Sequence, residues 1–160
     1  MAQRSIVLDK TDLAILKILQ EDCRTSITTI ASKLGLPKST VHYRIKRLEE
    51  AGVIEGCYAK INPEALRKDY LTITLVRAKY GPGYHERIGK KLASLPGVWA
   101  VYFTLGDIDF VVLARHENLD SVRRMIESFI SMEEIERTST QVIVKVIKED
   151  PRIEISDDEE

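Results

Sequence analysis

Apolar positions fall into helical register three times before residue 52 and mostly into strand register from residue 71 onward. Ile15, Leu16, Ile18, Leu19 and Cys23 give a first helix its apolar face, with Asp9 as cap and Asp12 as a looser capping-box partner. Ser26 caps a second helix, in which Ile27, Ile30, Ala31 and Leu34 share a face before Gly35 ends it. A tight Leu36-Pro37 link leads to a third, with Val41, Ile45 and Leu48 in register as far as Ala51-Gly52. Two helices so joined make a helix-turn-helix. Val53 to Ile61 reads as a strand, either a wing or a connector, and Asn62-Pro63 closes a first module of residues 1–62.

The second module, residues 63–150, opens with a β-branched strand from Leu71 to Lys79, broken by Gly81-Pro82-Gly83. A helix from about His85 to Leu95 ends at Pro96-Gly97. Val98–Leu105 and Ile108–Arg115 read as a hairpin around a two-residue Gly106-Asp107 turn. Asn118 caps a helix through about Ile130, and a last strand runs from Thr138 to Lys148, with Val142, Val144 and Val146 on one face. The order βαββαβ is the ferredoxin-like split unit, with both helices on one side of an antiparallel sheet. Its other side is bare, so at least a homodimer is expected, sheet packed on sheet. Residues 151–160 are acidic and read as a solvated tail.

Net charge is −1 overall, but residues 1–62 carry ten Lys/Arg against seven Asp/Glu, whereas the remainder carries fourteen against eighteen. Positive charge therefore gathers on the first module. Lys33, Lys38, Arg44, Lys46 and Arg47 lie in a stretch, residues 33–47, that contains no acid. Phosphate binding needs such a stripe, and the partner it implies is double-stranded DNA. With Val41, Ile45 and Leu48 turned inward, Ser39, His42, Tyr43 and Lys46 point outward, Thr40 and Arg47 sit on a flank, and Arg44 lies nearer the core, placed to hold a phosphate. Lys38 to Arg47 would enter the major groove.

Here the residues resemble a known family. Leu8-Asp9-x-x-Asp12-x-x-Ile15-Leu16-x-x-Leu19, Arg24, Ala31-x-x-Leu34-Gly35-Leu36 and Ser39-Thr40-Val41-x-x-Arg44-Ile45-x-Arg47-Leu48-Glu49-x-x-Gly52-Val53-Ile54 are similar to the N-terminal signature of the Lrp/AsnC, or feast/famine, regulators. Pro37 departs from it, standing where the family often has a capping Ser. Leu105-Gly106-Asp107-Ile108-Asp109-Phe110 resembles the hairpin motif of the family's effector domain. The resemblance spans residues 8 to about 149. It implies an α+β chain in which a winged helix-turn-helix precedes a ferredoxin-like, RAM-type domain. It also implies a cytoplasmic, sequence-specific transcription regulator that forms tetramers to octamers and senses an amino acid or related metabolite at a subunit interface. Asp107 and Asp109 would accept from the ligand ammonium. Main-chain N–H groups around Gly106, with Thr138 and Thr140 of another subunit, would donate to its carboxylate.

Catalysis is not expected. His42, His85 and His116 lie in three different elements, and no Ser-His-Asp, HExxH, Walker or Cys-x-x-Cys pattern occurs. Cys23 and Cys57 are too few and too far apart for a disulfide framework or a four-ligand zinc site, and each reads as a small core residue. Neither a cofactor nor a metal is expected, and no apolar run is long enough to span a membrane. Two alternatives stand beside the regulator: an architectural DNA-binding protein without an effector, and a decarboxylase of related fold.

Overall fold

Local signals set the helices of the first unit. In the computed structural model, which describes residues 6–156, Asp9 accepts from the Asp12 N–H at 2.9 Å and Asp12 accepts from the Asp9 N–H at 3.1 Å. This capping box starts α1 (Lys10–Glu21). Ser26 accepts from Thr29 N–H and starts α2 (Ile27–Leu34), which ends on Gly35 at φ 65°, a left-handed conformation that costs glycine little. Pro37 precedes α3 (Lys38–Glu50) and supplies no capping oxygen. Ile15, Ile30, Ala31, Val41 and Leu48 close the centre of this unit, with Leu16, Leu19 and Ile45 packed around them.

Three expectations for this unit are corrected. Val53–Ile61 forms no strand: Val53 and Ile54 donate to the Leu48 carbonyl, and the residues after them run on without a paired ladder among the described residues. Cys23 and Cys57 are not separate core residues but a disulfide, with Cα atoms 5.9 Å apart and Cys57 exposed. Of the segment read as a solvated tail, residues 157–160 lie outside the described residues, and residues 151–156, though mostly exposed, do not stand off from the chain. They belong to the first unit, where Ile153 exchanges two hydrogen bonds with the Gln20 side chain, at 2.6 and 2.9 Å, and Arg152 pairs with Glu21 at 2.9 Å.

The second unit, residues 61–149, contains β1 (Tyr70–Ala78), α4 (Tyr84–Ala93), β2 (Val98–Phe103), β3 (Phe110–His116), α5 (Leu119–Ile130) and β4 (Ile135–Ile143). The strands lie in the order β2-β3-β1-β4, every neighbour antiparallel, as a split βαββαβ unit requires. Asn118 and Ser121 form the capping box of α5. Alternate strand residues, among them Val76, Phe110, Val112 and Ala114, bury against Ile88 and Leu92 of α4 and Met125 and Phe129 of α5. The intervening residues, including Leu71, Ile73, Leu75, Val111 and Leu113, line the face without helices. Gly97, at φ 82°, lies so close to the Arg115 carbonyl that a Cβ there would strike it.

Two boundaries differ from expectation. The hairpin turn is not two residues but the six-residue loop 104–109, because Asp109 turns inward and its carbonyl accepts from the Thr104 N–H at 2.8 Å. The last strand starts and ends earlier than predicted; Val144 lies beyond it and is 97% exposed. Among the described residues no helix is long and apolar enough to cross a membrane.

Candidate DNA-binding and effector sites

Helix α3 buries Val41 and Leu48 and turns Lys38, Ser39, His42, Tyr43 and Lys46 to solvent, with Thr40 half-buried on the flank. Tyr43 is 67% exposed, far more than an aromatic ring needs for packing. The Lys46 ammonium lies 3.7 Å from Glu50, a solvent-exposed i,i+4 pair that holds it weakly.

The two arginines of the same helix behave differently. Asp12, fully buried, takes the Arg44 guanidinium at 2.8 Å and also Nη2 of Arg47; Arg44 reaches Asp9 as well, at 2.7 Å. The hydrogen bond from Arg44 holds the Asp9 carboxyl below its ordinary value, and the two carboxylates raise Arg44 in turn. Charge that the sequence placed in one phosphate-binding stripe is thus divided. Lys38 and Lys46 remain outward, while Arg44 and Arg47 pin α3 to the start of α1.

In the second unit the predicted effector residues separate. Asp109 is buried, its carboxylate accepting from the Ala78 N–H at 2.8 Å and the Tyr84 hydroxyl at 3.1 Å, and burial together with that contact pushes the Tyr84 hydroxyl up. Thr140 faces the helices and shares a hydrogen bond with Thr74 at 3.0 Å. Gly106, at φ 146°, shapes the loop. Asp107 and Thr138 do come together, on a cleft of about 440 Å³ within this one chain. Leu75, Ile108 and Ser139 complete its lining with two residues that sequence reasoning missed, Arg77 and Arg137. Arg77 fell within the predicted first strand, but Arg137 lay just outside the predicted last one, and the register in which β1 pairs with β4 and sets one opposite the other was not legible. Among the described residues no cluster of three His, Cys, Asp or Glu side chains could hold a metal ion.

Comparison with known proteins identifies the family. Residues 8–55 match the winged helix-turn-helix DNA-binding family, and residues 72–153 match the Lrp/AsnC ligand-binding domain. A DNA-binding helix-turn-helix joined to a ligand-binding α+β domain defines a transcription regulator. The chain belongs to the Lrp/AsnC family of such regulators. The HTH-type transcriptional regulator FL11 of Pyrococcus furiosus is 38% identical, over 89% of this chain and 93% of that protein. Its Pyrococcus horikoshii counterpart is 36% identical, over 94% and 98%. The leucine response regulatory protein of Mycobacterium tuberculosis has the same fold, with a TM-score of 0.80 and 26% identity, over 93% of this chain and all of that one. A Neisseria meningitidis regulator solved with L-methionine superposes with a TM-score of 0.85 at 22% identity, over 92% of this chain and 97% of that one. These relatives are regulators, not enzymes.

Proposed function

We propose that this regulator reads operator DNA with the outer face of α3 and is controlled by an amino acid or related metabolite held in the cleft of Asp107 and Thr138. The carrying observation is the division of charge on α3. The buried Asp12 carboxylate fixes its inner arginines, while Lys38, Ser39, His42, Tyr43 and Lys46 stay outward, a mix of short polar, aromatic and basic groups suited to a major groove. Thr40 borders that face. Arg44 and Arg47 act chiefly by orienting the helix, and Arg47, a third exposed, can still reach a phosphate from its flank.

The helix-free face of the sheet, with Ile73, Leu75, Val111 and Leu113 only partly covered, supports a homodimer, and the family supports tetramers to octamers. Two copies would meet a pseudo-palindrome with half-sites about 10 bp, or a multiple, apart. Such work on the chromosome belongs to the cytoplasm. In this reading Asp107 takes the ligand ammonium, while Asp109, Gly106 and the helix-side threonines Thr138 and Thr140 support the loop and sheet around it. A ligand that prefers one assembly shifts the population toward it, which couples sensing to DNA occupancy.

The test is DNA binding across salt concentrations. Lys46→Ala should weaken binding to all sequences and reduce the salt dependence by roughly one phosphate contact, whereas His42→Ala and Tyr43→Ala should change which sequence is preferred. Wild-type affinity and preference in all three variants at matched salt would refute the docking. DNA binding that persists with indifference to every amino acid would point instead to an architectural protein.

A further inference from the structure

The effector cleft proposed above has an unusual charge arrangement, and the inference here rests on that reading. Arg77 of β1 and Arg137 of β4 stand directly opposite each other in the antiparallel register. Leu75 and Ser139 pair two residues away, which puts all four on the helix-free face. Like charges directly opposite destabilise a sheet, because side chains at such positions are only about 5 Å apart at Cβ. Glu136 approaches Arg77 at 3.5 Å, with both side chains about half exposed, and screens it only in part. Arg137 has no ion-pair partner among the described residues. Two guanidiniums against the single carboxylate of Asp107 in the lining of one cleft make a site short of negative charge.

We propose that the effector is a dicarboxylic amino acid. Its two carboxylates engage Arg77 and Arg137, and its ammonium engages Asp107. Three features of the site match that molecule and no other class of amino acid. Each guanidinium presents a planar fork that takes one carboxylate through two parallel hydrogen bonds, so two forks call for two carboxylates. The two guanidiniums and the Asp107 carboxylate that line the cleft sum to +1, offset in part by Glu136 beside Arg77, so a ligand of net charge −1 suits it best; a neutral side chain leaves one fork empty, and a basic one adds to the repulsion. Leu75 and Ile108 supply the aliphatic wall that a short methylene chain needs. The bound ligand also removes the repulsion between the facing arginines.

Calorimetry on the full-length protein with L-aspartate, L-glutamate, their two amides, L-leucine, L-methionine and L-lysine tests this. One of the acids should bind roughly tenfold or more tighter than its amide, since only the acid fills both forks with charged hydrogen bonds. Arg137→Ala should abolish that preference while the protein keeps its melting temperature, because the side chain lies on the surface; Arg77→Ala serves as a second variant. A neutral or basic ligand that binds tighter than both acids, and is lost in Asp107→Asn, would overturn the dicarboxylate inference and leave the effector cleft standing. So would an acid preference that survives both arginine variants. No binding of any of the seven would overturn the inference and the cleft reading together.

Discussion

Among the described residues, five apolar side chains close the centre of the helical unit, against nine between the sheet and helices of the second. The first unit adds what its small core lacks: a covalent link from Cys23 to Cys57, and the buried carboxylate of Asp12 between two arginines. The second has no disulfide and satisfies its own buried carboxylate, Asp109, with the Ala78 N–H and the Tyr84 hydroxyl, and it leaves the facing arginines Arg77 and Arg137 exposed on its surface. The same residue type therefore serves opposite ends. On α3, arginine is consumed in holding the helix; at the β1–β4 pair it is left available. Basic character in a sequence does not by itself say which arginine can meet an anion.

The largest expected effect comes from the covalent link that lies within the first unit. The disulfide spans 34 residues of sequence and encloses all of α2 and α3. Closing a loop of that size in the unfolded chain stabilises the fold by about 4 kcal/mol on entropic grounds. Cys23→Ser, or a reducing agent, should lower the melting transition of the first unit by that order and leave that of the second where it was. Two transitions in scanning calorimetry, read with and without dithiothreitol, would measure it. Equal shifts in both, or none, would break the contrast.

The ionic half of the comparison should come next in size. Asp12→Ala leaves two guanidiniums without their buried acceptor, and removal of one partner of a buried pair costs about 3 kcal/mol, the low end of the range because Arg44 and Arg47 keep some contact with water. Arg137→Ala should change stability by no more than about 0.5 kcal/mol, with relief of repulsion favouring the variant. Chemical denaturation of both variants gives the two numbers side by side. A mild Asp12→Ala would mean that α3 is held by its apolar face alone, which would free Arg44 and Arg47 for DNA.

What the sequence made legible follows from the range of each interaction. Asp9, Ser26, Gly35 and Asn118 cap their helices within three or four residues, so the caps were readable one element at a time. The outward face of α3 was readable for the same reason, since a helical wheel needs only the helix itself. Partnerships between elements were not. Arg44 and Arg47 meet Asp12 across 32 and 35 residues, Cys23 meets Cys57 across 34, and Arg137 faces Arg77 across the sheet. Periodicity assigns a face to each residue but not the residue that covers it. The 104–109 loop failed differently: Gly106-Asp107 has the composition of a tight turn, but the buried Asp109, which accepts from Ala78 and Tyr84, draws the chain inward and lengthens it.

The smallest effect, and the sharpest way to distinguish the units, is their response to acid. His116 is buried at the end of β3, its Nε2 3.2 Å from the Thr72 hydroxyl, and burial, aided by the charge of Lys68, pushes it below the ordinary histidine value of 6.5. The unfolded chain therefore takes up this proton first. The stability that His116 contributes is complete above about pH 6.5 and falls as pH drops through its lower folded value. In the first unit the corresponding group is Asp9, which the Arg44 hydrogen bond holds below 3.8, so its contribution persists until the solution is far more acidic. Between pH 7 and 5 the melting temperature of the second unit should fall while that of the first changes little. His116→Gln keeps a hydrogen-bonding group near Thr72 and removes the titration, so it should flatten the second unit's curve over that interval. A variant that loses stability with acid as steeply as the wild type would assign the effect to other groups of the unit. Glu117 and Glu134 are both held below 4.5 by their lysine partners, so they should act only at lower pH.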